Sequence, residues 1–193
     1  MTRTLPAILL ALALSGAAHP PIVRALHVRP NPTAPLAYHP AVPIPAARPP
    51  MPAVLRTLAP WMAAFSRQAR ATGVPQAALE AVALTESGGN PSAVSPAGAV
   101  GIMQVEPATG RAMGVWGLLS PVASITAGSR YLAYLGGRFG VTAACWSAGP
   151  EARGACTGRI ARVLSAYAAG PSGGAQPWYV RRVERAWREV LAA

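Results

Sequence analysis

The stretch PQAALEAVALTESGGNPSAVSPAGAVGIMQVEPATG, residues 75–110, decides how this chain is read. Its first third predicts a helix: Pro75 suits an opening helical position, helix-forming residues follow, and Gly88-Gly89-Asn90-Pro91 ends it sharply after Ser87. Within that helix Glu86 follows Ala83, Val82 and Leu79 by three, four and seven residues, spacings that place its carboxyl on the face of an apolar stripe. Glu80, six residues earlier, lies about 120° around the helix and is expected to face solvent. A carboxyl on the buried side of a helix, near its C-terminal end, is disfavoured in the charged form twice over, by desolvation and by the negative pole of the helix dipole. Such a group stays protonated toward neutral pH, as a general acid must. The structural alternative is a buried glutamate paired with an arginine.

Composition narrows the chemistry around that residue. The chain has 193 residues and a formal net charge of +11, and all 17 of its basic residues are arginine. All six acidic residues are glutamate, at 80, 86, 106, 151, 184 and 189; there is no aspartate and no lysine. This excludes a Ser-His-Asp triad, a Schiff-base or P-loop lysine and an aspartate-rich calcium loop. His19, His27 and His39 crowd the N-terminal part with no cysteine beside them, which argues against a zinc site. No metal and no cofactor is implied. The arginines are spread along the chain without a nucleic-acid-binding motif, so the excess positive charge fits an anionic wall or membrane surface better than nucleic acid.

Residues 1–18 have the pattern of a secretory signal peptide: Arg3, an apolar run from Leu5 to Leu14, and the small residues Ser15-Gly16-Ala17-Ala18 at a cleavage position. The apolar run is about half the roughly 20 residues of a membrane-spanning helix, so no stable anchor is expected after cleavage. Between Pro20 and Pro60 lie 12 of the 21 prolines, and residues 19–53 are expected to form an extended, disordered tether. Residues 54–193, roughly 140 in all, suffice for one buried core and a monomeric domain. Cys145 and Cys156, an even, close pair in an exported chain, read as one disulfide closing a short loop, two free buried thiols being the other reading.

The domain is expected to be all-α. Trp61, Phe65 and Ala69 share a face in a helix from Pro60 to Thr72, ended by Gly73. A short helix is expected over Val100–Val105. A longer one covers Val122–Phe139, with Ile125, Ser129, Leu132 and Leu135 inward, and another Ile160–Ala169. The last, Tyr179–Leu191, turns Val183, Trp187 and Val190 inward and Arg181, Arg182, Arg185 and Arg188 outward. Among the other glutamates, Glu106 stands where it can cap a helix, Glu151 sits in the disulfide loop, and Glu184 and Glu189 are interleaved with arginines.

From Glu86 onward the run Glu-Ser, Asn-Pro, Ser-Pro-x-Gly-Ala, Gly-Ile-Met-Gln and Pro-x-Thr resembles, element by element and in order, the signature of soluble lytic transglycosylases of the goose-lysozyme-like group. Downstream, Ala166-Tyr167-Ala168-Ala169-Gly170 and Tyr179-Val180-Arg181-Arg182-Val183 are similar to that family's Ala-Tyr-Asn-x-Gly and Tyr-Val-x-x-Val elements. The resemblance covers about residues 55–190. The short interval from Tyr167 to Tyr179 is similar to that of transglycosylases attached to conjugative and type IV secretion machines. Two departures stand out. Ala168 replaces the family's asparagine, and Trp146-Ser147-Ala148-Gly149-Pro150 is a second, imperfect match to the tyrosine motif, with residues 141–160 then reading as an insertion.

The resemblance implies a lysozyme-like domain, in the periplasm, that cleaves the β-1,4 bond between N-acetylmuramic acid and N-acetylglucosamine in peptidoglycan and leaves a 1,6-anhydro-muramyl end. It implies Glu86 as the catalytic residue, Met103 and Gln104 lining the glycan groove with Gln104 as a donor, the Tyr167 hydroxyl near Glu86 or substrate, and Ser87 and Ser95 as polar contacts. The residues alone leave structural readings for three of these: a core Met103, a capping Ser87 and a packing Tyr167. Gly98 and Gly101 are expected where backbone turns tightly or approaches closely. Two rival functions remain, a non-catalytic wall-binding scaffold of a secretion apparatus and a hydrolytic muramidase. Secretion or conjugation components are the partners implied besides glycan strands.

Overall fold

The computed structural model describes residues 52–193; the expected signal peptide and nearly all of the proline-rich tether lie outside the described residues. Seven α-helices make the framework: α1 Met62–Thr72, α2 Gln76–Ser87, α3 Pro107–Ala112, α4 Pro121–Arg138, α5 Ala143–Ala148, α6 Ala155–Ala169 and α7 Pro177–Leu191. Short 3-10 turns at Ala53–Leu55, Ala59–Trp61 and Gly149–Glu151 join them. The only strand-like pairings among the described residues are two isolated bridges, Val94 with Val100 and Val100 with Val105. The all-α expectation is met.

Helix α2 is the axis of the domain. It packs most extensively on α7 and also touches α1 and α4. Six consecutive residues, Ala78, Leu79, Glu80, Ala81, Val82 and Ala83, are buried, so the helix has no solvent face over that span. This corrects the expectation for Glu80. Phase arguments presume one wet side, and a helix covered all round offers none. Glu80 is 2% exposed and keeps one hydrogen bond, from Gln76 Nε2 to its Oε1 at 2.7 Å. Burial raises its pKa, partly offset by that bond.

The ends of α2 follow from its flanks. Gly73 terminates α1 in the left-handed region at φ +74°, where glycine carries no Cβ penalty. Pro75 is the N-cap of α2 at ψ 139°, one position earlier than the sequence suggested. Gly88, also left-handed, donates to the Leu84 carbonyl and closes the helix. The α4 stripe of Ile125, Ser129, Leu132 and Leu135 is wholly inward, and α7 buries Val183, Trp187 and Val190 while its four arginines are exposed.

The segment Val100–Val105 is a closed turn rather than the expected helix. Val100 and Val105 exchange two backbone hydrogen bonds of 3.0 Å. Gly101 at φ +81° and Gln104 at φ +47° both leave the right-handed region that a helix requires. A Cβ on Gly101 would strike the Leu118 carbonyl and the Ser124 side chain, the close backbone approach expected there. Helix α3 starts directly after Glu106, where the sequence allows a capped helix; α5 is unexpected, six residues being too short to show a period.

Cys145 in α5 and Cys156 in α6 form a disulfide, so the disulfide reading holds over that of two free thiols. It staples the segment around α5, whose Trp146 packs against Trp187 of α7 with ring centroids 6.2 Å apart. Arg188 of α7 adds an exposed ion pair to Glu151 at 2.7 Å. Replacing both cysteines by serine is expected to cost about 3 kcal/mol of unfolding free energy, as for closure of a loop of this size. Urea unfolding with and without the bridge measures it, and the helical content should persist, because the main core lies between α2, α4 and α7.

Candidate active site

A cleft of about 530 Å³ runs across the domain, and Glu86 stands in its wall. The carboxyl projects from the last turn of α2, where the apolar helix gives way to the Gly88-Gly89 turn. Tyr179, in the first turn of α7, donates its hydroxyl to Glu86 Oε1 at 2.5 Å. The contact between α2 and α7 is therefore both the largest helix pairing in the domain and the one that presents the acid. Pro177 opens α7 and fixes where Tyr179 begins.

The electrostatics place Glu86 between its two protonation states. Burial raises its pKa, the Tyr179 hydrogen bond and the charge of Arg182 lower it, and the balance holds it at about 6 rather than 4.5. Burial, and then the Glu86 charge, push the hydroxyls of Tyr167 and Tyr179 well above the usual tyrosine range. Both therefore remain donors at any pH where Glu86 changes state. Tyr167 lines the same cleft from α6 but gives its hydrogen bond to the Met103 carbonyl, at 2.9 Å. Its ring lies 5.5 Å from that of Tyr131, and Gly128 leaves room behind it: a Cβ there would sit 2.8 Å from the Tyr167 oxygen and 2.7 Å from the Met103 sulfur.

The transglycosylase SLT domain model matches residues 63–180, more than half of the chain and all of the cleft. The chain belongs to the transglycosylase SLT domain family. Among curated relatives, the endo-type membrane-bound lytic murein transglycosylase A of Klebsiella pneumoniae subsp. pneumoniae is 38% identical over 86 residues, covering 39% of this chain and 42% of that protein. The protein of the same name from Citrobacter koseri is 37% identical over 86 residues, with the same shares covered. The chain thus spans about two fifths of the length of the curated relatives it matches. Among solved structures, the 70-kDa soluble lytic transglycosylase in complex with bulgecin A is 26% identical with a TM-score of 0.49, over 72% of this chain and 26% of that one. The 70-kDa soluble lytic transglycosylase of Escherichia coli is 28% identical with a TM-score of 0.45, over 68% and 19%.

Within this SLT domain the expected site residues divide. Glu86, Ser95, Gln104 and Tyr167 all line the cleft. Met103 does not: it is fully buried among Ile102 and the α4 residues, so its core reading holds, and its carbonyl serves to seat Tyr167. Ser87 is spent on structure as well. Its hydroxyl bonds the Ile102 carbonyl at 2.7 Å and accepts from Gly89 N, tying the end of α2 to the Val100–Val105 turn. Ser95 lies on the cleft but braces its own loop, accepting from Ala99 N at 3.0 Å.

Gln104 differs from expectation in polarity. Its Nε2 donates to the carbonyls of Ala93 and Gly101, at 3.0 and 2.9 Å, which consumes both amide hydrogens. The acceptor Oε1 is what remains for a ligand. Those two bonds also hold the residue at its left-handed φ of +47°, a conformation costing on the order of 1 kcal/mol outside glycine. Ala168, in place of the family's asparagine, lines the cleft, whereas Trp146 is buried in the disulfide-stapled segment. Tyr167 is thus the residue of the downstream motif that reaches the site. Glu106 occupies the N-cap position of α3 but makes no capping bond, and lines the cleft instead.

In the sequence Tyr179 opens the Tyr-Val-x-x-Val element without a role of its own. The signal was present in helix phase: it precedes Val183 and Trp187 by four and eight residues and so lies on the inner face of α7. Tyr179→Phe removes the bond that favours ionised Glu86. The pKa of Glu86 should then rise further above 6, and the high-pH limb of any activity needing protonated Glu86 should move to higher pH. A pH–rate profile of wild type and variant measures this; an unmoved limb would show that the bond does not tune the acid.

Proposed function

We propose that the chain is a peptidoglycan lytic transglycosylase that cleaves the β-1,4 bond between N-acetylmuramic acid and N-acetylglucosamine and forms a 1,6-anhydro-muramyl end. The observation that carries this is Glu86, a half-buried carboxyl with a pKa of about 6, presented by a tyrosine in the cleft of an SLT domain. The name shared by its relatives, endo-type lytic murein transglycosylase, supports the same reaction.

The chemistry needs one residue to act twice. Protonated Glu86 gives its proton to the glycosidic oxygen as the bond to the anomeric carbon breaks. The substrate's own N-acetyl oxygen stabilises the cationic anomeric centre. Ionised Glu86, now accepting from Tyr179, takes the proton of the muramyl C6 hydroxyl as that oxygen closes onto the anomeric carbon. A pKa near 6 suits a group that is acid first and base second. Burial supplies the acid, and the Tyr179 bond keeps the ionised form accessible for the second step. The free acceptor of Gln104 matches the N–H of an acetamido group.

We place this activity in the cell envelope, on the periplasmic side of an exported chain, acting on glycan strands without cofactor, metal or nucleic acid. The short interval between Tyr167 and Tyr179 supports service to a secretion or conjugation apparatus that must open the wall locally. A hydrolytic muramidase is the second reading, favoured by one observation: Glu106 brings a second carboxyl to the cleft, and glycoside hydrolysis ordinarily uses two.

Mass spectrometry of fragments released from purified wall separates the readings. The transglycosylase gives ends lighter by one water than the reducing ends of hydrolysis. Glu86→Gln should lower release by about 100-fold or more, the scale of a lost general acid. Reducing ends from the wild type would favour hydrolysis. Release unaffected by Glu86→Gln, or none from the wild type, would remove the enzymatic reading and leave a wall-binding scaffold.

A further inference from the structure

The cleft ends at the start of α7, and there the surface changes character. Trp178, 53% exposed, lines the cleft and meets the Tyr179 ring edge-on at 5.8 Å. Its indole N–H is held by Gln176 Oε1 at 3.2 Å, which orients the ring. One turn further along the helix lies Arg182, three residues after Tyr179 and four after Trp178. Helical geometry puts it about 40° around the axis from Trp178 and about 60° from Tyr179, between the two. Arg182 is exposed, and among the described residues no carboxylate lies within 4 Å of it; the one ion pair found there joins Arg188 to Glu151. Its charge nevertheless reaches the site, lowering the pKa of both Glu86 and Tyr179. A cation thus stands beside the acid without being paired to it, next to an aromatic face.

We propose that Arg182 is a specificity-determining residue that binds a carboxylate carried on the lactyl arm of the muramyl sugar, while Trp178 beside it supports the sugar ring. This rests on the glycan reading of the cleft and adds to it a preference among glycans. A guanidinium with no carboxylate partner among the described residues is suited to a bidentate carboxylate bond. An exposed indole facing a cleft is suited to the apolar face of a pyranose. The muramyl arm offers the carboxylate in two forms: the free lactyl group of peptide-stripped strands, or the acidic residues of a stem peptide. A glycan of N-acetylglucosamine alone has neither.

Arg181 supplies the control. It carries the same charge on the same exposed helix, but lies about 160° around the axis from Tyr179. The test measures binding of three oligosaccharide classes by calorimetry at low salt, using the full chain carrying Glu86→Gln so that strands stay intact. The classes are neutral N-acetylglucosamine hexamers, peptide-stripped glycan strands and peptide-bearing strands. Adding Arg182→Gln should weaken at least one anionic class by about fivefold to tenfold and leave the neutral hexamer within twofold. Added salt should shrink that difference. Adding Arg181→Gln should change none of the three. Loss on peptide-stripped strands assigns the lactyl carboxylate, and loss confined to peptide-bearing strands assigns a stem-peptide carboxylate.

Equal loss on neutral and anionic glycans, an Arg181 effect as large as the Arg182 effect, no loss on any class, or no binding by the parent chain would overturn the proposal. Failure of the underlying activity shows separately, as the absence of anhydro ends from wall treated with the wild-type chain.

Discussion

The hydrogen bond from Tyr179 to Glu86 is the constraint on which the site depends. It joins the end of the most deeply buried helix to the start of the most amphipathic one. It lies at the end of the largest helix pairing in the domain. Because α2 is covered along its length, its last turn is the place where a carboxyl can be desolvated on one side and open to a cleft on the other. Because α7 brings Val183, Trp187 and Val190 into the core, the position of Tyr179 is fixed by packing rather than by a mobile loop. The acid is thereby set by the same burial that stabilises the domain.

Around this pair the loop from Gly88 to Glu106 works as a scaffold. Several residues that a motif would assign to substrate are occupied with shape. Ser87 holds the loop to α2, Met103 fills the core and seats Tyr167, and the Gln104 amide hydrogens clamp a left-handed turn. Membership of the motif thus does not by itself place a side chain in the cleft, as Ser87 and Met103 show. The polar and aromatic groups that do face the cleft include the Glu86 and Glu106 carboxyls, Gln104, Ser95, Tyr131 and the aromatic start of α7.

The helical framework was legible in the sequence wherever a long element had one buried stripe. This holds for α4 and α7, and for the ends of α1 and α2, where Gly73 and Gly88 terminate them. It failed for Glu80, because a central helix hides its phase when all sides are covered. It failed for Val100–Val105, because apolar residues without a period fit a turn as readily as a helix until the positive φ of Gly101 and Gln104 is known. Helix phase and motif both single out Glu86, which lines the cleft. Tyr179 was missed as its partner because the pairing spans 93 positions, and nothing local in either helix announces it.

The proposed reaction requires Glu86 to be a carboxylic acid in the free protein at mildly acidic pH. A carbon-13 NMR titration of its side-chain carboxyl, assigned by comparison with Glu86→Gln, reads that state directly. The expected midpoint lies near 6, well above the ordinary 4.5. A midpoint at or below 4.5 would contradict it, because the residue would then be ionised before it could act as the acid.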